Sequence, residues 1–154
     1  MDLRTYQNEK YGIQFQYPPN WERGEAQLGA IVVIYAPSLE KGFFRENLSF
    51  MVYQLSNADT SLKEYLNRNL HELEASLEEV KQINQKTITF GDQEGFLTEY
   101  IGGFGEETMK IRQYTIKVQD EIYILSHSYL ASQDSKHIKT VDKIVKSFEF
   151  LEQE

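Results

Sequence analysis

The residues able to do chemistry in this chain are scattered rather than gathered. Ser126-His127-Ser128 sets nucleophile types beside a base type. Hydrolysis by such a pair needs hydroxyl and imidazole within hydrogen-bond reach. Neighbouring strand residues point to opposite faces, so the tripeptide reads as sheet core or surface, not as a triad. No Gly-x-Ser-x-Gly elbow accompanies it. Gly102-Gly103-Phe104-Gly105 is open enough for a phosphate to approach. It falls between two strand patterns and lacks the Lys-Ser/Thr of a P-loop, so it reads as a mobile hairpin tip. His71-Glu72 is half of a zinc-protease motif, but position 75, where the second histidine belongs, is Ala75. His71, His127 and His137 are far apart in sequence. Glu78-Glu79 and Glu106-Glu107 are chance neighbours among 24 acidic residues. No catalytic residue, metal ligand or cofactor is assigned.

Two features could instead serve recognition. Phe43 and Phe44 stand between Gly42 and Arg45 in a loop, and two adjacent phenylalanines cannot easily both point inward. Aromatic anchors beside arginine are what binding hot spots use. Phe43, Phe44 and Arg45 are therefore the candidate partner-binding residues, against the competing reading of a core plug. Lys136, Lys139, Lys143 and Lys146 form a stripe that could face an acidic partner, though it also suits a plain solvent side.

The elements that must position these residues follow from periodicity. Ile13, Phe15 and Tyr17 alternate with glutamines, then Pro18-Pro19 end the strand. Asn20, tolerant of a positive φ, lets the chain turn so that Trp21, the only tryptophan, covers the apolar layer. Residues 31–36 are apolar on both faces and 47–55 nearly so, which predicts two central strands. Leu62, Tyr65, Leu66, Leu70, Leu73 and Leu77 recur at helical steps, and Ser61 with Glu64 has capping-box spacing, which predicts a helix over 61–79. From residue 80 the period becomes two. Strands are expected around 87–90, 95–101, 109–118 and 122–129, with turns at Gly91-Asp92 and Gln119-Asp120. Ile138, Val141, Ile144, Val145 and Phe148 predict a second helix starting near Ser132 or Asp134, followed by an extended tail.

Composition narrows the function classes. The 154 residues suit one domain, residues 1–154, with enough core to do without staples. The absence of cysteine rules out disulfides, thiolate metal sites and a cysteine nucleophile. A net charge of −8 argues against nucleic acid and against an anionic membrane surface. The longest apolar run, residues 30–36, is far short of the ~20 residues that span a bilayer. As given, the chain reads as a cytoplasmic protein or the mature part of an exported one.

Short motifs in fixed order carry a family resemblance. They are Phe15-x-Tyr17-Pro18-x-x-Trp21, Asn47-Leu-Ser-Phe50, the Leu62–Tyr65–Leu66 helix, Tyr123-Ile-Leu-Ser126 and the closing Ser147-Phe148. In this the chain resembles the PsbP-like superfamily, which includes the extrinsic photosystem II protein, a Ran-binding import factor and DcrB-type bacterial proteins. Asn20 stands where relatives often carry glycine. The resemblance implies an α+β fold, an α-β-α sandwich around a mostly antiparallel sheet of about six to seven strands. It implies no single function, because one fold hosts many. The favoured expectation is a non-catalytic protein-binding or accessory module of the chaperone or assembly-factor type. The alternative is a carrier of a small apolar ligand or lipid held between sheet and helix.

Overall fold

The computed structural model describes residues 2–25, 29–37, 44–133 and 135–151. The elements run β1 (Arg4–Asn8), β2 (Ile13–Tyr17), β3 (Glu22–Glu25), β4 (Val32–Tyr35), β5 (Asn47–Gln54), α1 (Leu62–Ser76) and β6 (Glu78–Phe90). Then follow β7 (Gln93–Phe104), β8 (Glu107–Val118), β9 (Glu121–Leu130), a 3-10 turn (Ala131–Gln133), α2 (Ile138–Lys146) and β10 (Glu149–Phe150). Seven strands in the order β3-β4-β5-β9-β8-β7-β6 make one sheet, and β1-β2-β10 make a smaller one. Every pairing is antiparallel.

Strand parity decides what each sheet face carries. On one face, Ile34, Phe50, Tyr114, Ile116 and Leu125 pack with Phe15 and Trp21 of the corner and with Val141, Ile144 and Val145 of α2. On the other, Ile122 and Ile124 meet Tyr65 and Leu66 of α1. Farther along that face, Tyr100, Met109 and Ile111 meet Leu77, Leu70 and Leu73. The large sheet is thus covered by α1 on one side, and by α2 with the small sheet on the other. This is the layered α+β architecture expected, and β5 lies inside the sheet as its two-sided apolar pattern requires.

Local chemistry fixes the elements. The Ser61 hydroxyl accepts from the Glu64 amide at 3.1 Å and donates to its carboxylate at 3.3 Å, so α1 starts where the capping spacing placed it. Gly91 and Asp92 both have positive φ, 57° and 59°, as a two-residue hairpin turn with the right twist demands.

Several expectations need correction. Asn20 does not take a positive φ; among the described non-glycine residues only Glu79, Asp92 and Gln119 do. The corner closes instead through the Trp21 amide on the Pro18 carbonyl, 3.1 Å. Gly102 and Gly103 are not a hairpin tip. They pair with Met109 and Thr108 inside β7, and a Cβ on Gly102 would press Leu77 and Val80. The second helix begins at Ile138, not near Ser132 or Asp134. His137 precedes it without a side-chain cap, and Asp134 lies outside the described residues. β1 and β3 add two strands that the apolar pattern does not announce.

Candidate functional site

The segment before β5 brings Phe44 and Arg45 to one end of the large sheet. Phe43 lies outside the described residues, as does Gly42. Phe44 is half-buried and, with Leu70, Leu73 and Val80, packs against the buried cluster of Leu77, Tyr100, Met109, Ile111 and Leu130 on the α1 side. Its ring meets that of Phe104, the last residue of β7, edge-on with centroids 6.2 Å apart. Phe104 is 38% exposed, so the pair is only partly withdrawn from water. Nothing in the sequence marks Phe104 for this role, because it sits among glycines and outside any alternation.

Arg45 is engaged within the chain. Its Nε donates to the Ala36 carbonyl at 2.8 Å, its guanidinium meets Glu22 at 3.1 Å, and it lies over the Tyr35 ring. These contacts fasten the start of β5 to β3 and to the end of β4.

Glu46 turns to the opposite face. Its carboxylate accepts from Nε2 of His127 at 2.6 Å and from the Ser135 hydroxyl. A carboxylate only accepts, so the His127 proton sits on Nε2. The His127 ring is fully buried, and its Nδ1 has no hydrogen-bond partner. Burial alone raises the Glu46 carboxyl. The bonds from His127 and Ser135, with the attraction of the His127 and His137 rings, outweigh it and hold the group below its ordinary value. Ser126 and Ser128 lie on the other face of β9, so no serine is activated by His127.

A second polar group borders this face. Arg112 donates to the Tyr114 hydroxyl at 2.9 Å, which donates to Asp142 of α2 at 2.6 Å. Burial pushes the Tyr114 phenol up, Asp142 adds to the rise, and Arg112 opposes it. Tyr114 therefore stays a neutral donor joining sheet to helix. Under α1, Asn69 donates to Gln113 at 2.7 Å. Neither group carries a nucleophile set against a base. Arg112 has a legible signal, a cation at an apolar parity position two before Tyr114. Glu46 and Ser135 have none, being 89 residues apart.

His71 lies on an exposed helix face, 3.9 Å from Glu74. Among the described residues no group of three His, Asp or Glu side chains could hold a metal ion, and no helix is long and apolar enough to cross a membrane. The four lysines of the stripe are all exposed. Between β6 and α2 the surface opens into a cleft of about 240 Å³.

The comparisons agree with this architecture. The solution structure of cyanobacterial PsbP (CyanoP) from Synechocystis superposes with a TM-score of 0.65 at 18% identity, covering 96% of this chain and 92% of that one. LpqN of Mycobacterium tuberculosis, described as involved in cell envelope biogenesis, gives a TM-score of 0.71 at 11% identity over 98% and 91%. A mutant form of the protein Mog1 gives 0.64 at 15% over 99% and 98%. At these identities the likeness is one of fold. No curated protein sequence matches the chain. Residues 1–150 match the family described as PsbP-like protein, and the chain belongs to that family.

Proposed function

We propose that the protein is a non-catalytic, single-domain accessory module that binds another protein through the sheet end bearing Phe44 and Arg45, with Phe43 next to them in sequence. The observation that carries the reading is the Phe44–Phe104 pair, two aromatic rings in contact and only partly buried at one edge of the fold. Aromatic side chains held by a rigid scaffold gain most when a partner removes the remaining water. Arg45 holds the segment in place through Ala36 and Glu22, and its exposed edge is left to meet a carboxylate. LpqN and CyanoP carry the same fold in different settings, which suits a scaffold reused for binding.

The ligand-carrier reading draws less support. The cleft between sheet and α2 measures about 240 Å³, below the roughly 300–1,000 Å³ of small-molecule sites.

The test is affinity capture from an extract of the source organism, followed by reassembly with the purified partner. Phe44→Ser and Phe104→Ser should each weaken the reassembled complex at least tenfold, and Phe104→Ser, at the more exposed ring, should leave the melting temperature nearly constant. If both variants lower the melting temperature by several degrees and leave binding intact, the rings are core and the reading fails.

A further inference from the structure

We propose that the outer edge of β6, together with the α2 face beside it, accepts an extended acidic peptide segment as an added strand. This surface is separate from the Phe44–Phe104 end, and the inference does not depend on the reading of that end.

β6 is the last strand of the seven, paired only with β7. Its first half is irregular, with register shifts between Glu78 and Lys81 and between Gln82 and Asn84, and with Glu79 at a φ of 50°. Such bulges blunt an edge against pairing. Beyond them, residues 84–90 pair in unbroken register with β7. Phe90 and Gln93 flank the two-residue turn and form its hydrogen-bonded pair, so Ile88 and Lys86 also bond inward. The backbone N–H and C=O groups of Gln85, Thr87 and Thr89 then point outward. Among the described residues no hydrogen bond reaches them. An edge of this kind is a template for strand addition.

The neighbouring helix says what the added strand should carry. The cleft of about 240 Å³ runs between this edge and α2, floored by Ile88, Leu97 and Val145 and flanked by Lys86 and Lys146. Asp142 also lines it, but its carboxylate is taken up by Tyr114 and by Arg112, 3.8 Å away. Lys139 shares the helix side of Asp142 and Lys146 by the helical repeat. A chain of net charge −8 thus presents lysines beside a regular open edge. Past Thr89 the adjoining cleft is mixed, lined by Lys146 as well as by Asp92 and Glu149. An apolar side chain fits the floor, and carboxylates two residues either side of it on the same strand face meet the lysines.

The probe is the peptide acetyl-Thr-Glu-Thr-Val-Thr-Glu-Thr-amide, titrated into isotope-labelled protein and followed by amide NMR. The expected result is saturable shifts at Gln85, Thr87 and Thr89, with slowed solvent exchange there. Replacing both glutamates by lysine should weaken binding at least tenfold. Thr87→Pro removes one outward N–H while sparing the β7 ladder, and should abolish the shifts. Lys86→Glu with Lys146→Glu, which leaves the backbone intact, should weaken binding at least tenfold. No saturable shifts, shifts mapping elsewhere, or equal binding by both peptides would overturn the proposal. So would a dimer in the free protein that already protects the β6 edge amides, since the edge would then belong to a second copy.

Discussion

Glu46 and His127, 81 residues apart, meet at 2.6 Å beneath the N-terminal end of α2, and the same carboxylate also holds Ser135. One side chain thereby ties the start of β5 to β9 and to the segment leading into α2. Glu46→Gln should cost about 1.5–3 kcal/mol at neutral pH, the range for hydrogen bonds to a charged group. The dependence on acidity has a definite sign. The folded carboxyl is held below its ordinary value. Its contribution is therefore complete above the unfolded value of about 4.3 and fades as pH falls through the lower folded value. Denaturant titrations should show the gap between the two proteins closing below about pH 4. A gap unchanged at lower pH would separate Glu46 from the acid response.

Trp21 is 3% exposed and meets His137 edge-on, ring centroids 5.5 Å apart. Trp21→Ala should cost about 3–5 kcal/mol, as for other buried large aromatics. Native fluorescence should be blue-shifted and move to the red on unfolding. Emission already at the water-exposed position in the folded state would contradict the packing.

Gly95 has no room for a side chain. A Cβ there would overlap the Thr115 carbonyl oxygen and crowd Ile116. The obstacle is backbone held in the β7–β8 ladder, so it cannot swing aside. Gly95→Ala should cost at least the ~1–3 kcal/mol typical of overpacking. Gly105→Ala meets nothing within 4 Å and serves as the comparison, burdened only by its φ of +63°. Equal melting temperatures for the two variants would refute the account.

The alkaline limb should be set by phenols. Burial raises Tyr65, Tyr100, Tyr114 and Tyr123 above their ordinary value. Folding favours their neutral form, so this stability is intact below about pH 10 and declines as pH climbs past it. An ultraviolet phenolate titration should show Tyr65, Tyr100, Tyr114 and Tyr123 withheld from ionisation until the fold opens. All ten tyrosines titrating as equivalent groups on an intact fold would exclude this.

What the sequence revealed follows the range of each interaction. Ser61 and Glu64 cap α1 from three residues apart, and Val141, Ile144 and Val145 face inward as their spacing implies. Those signals are local. β1 buries only Tyr6, and β3 is polar throughout, so neither has the alternation that marks a strand. Gly102 and Gly103 looked like a tip because glycine disfavours strands. Their small size is instead used where β7 passes under Leu77 and Val80. Glu46, Ser135 and Phe104 gain their roles only through partners brought close by the sheet.

The small sheet has a consequence for the order of folding. β6 to β9 form successive hairpins, each able to close within a short stretch of chain. β10 instead pairs with β2, and the Leu151 amide reaches the Gly12 carbonyl at 2.8 Å, across nearly the whole sequence. Closing so long a loop carries an entropy cost that grows only slowly with length, but it must be met before the contact repays anything. The meander can nucleate early. The β1–β2 hairpin can close locally, but β10 joins it only once α2 and the residues after it are in place, so the small sheet is completed after the meander.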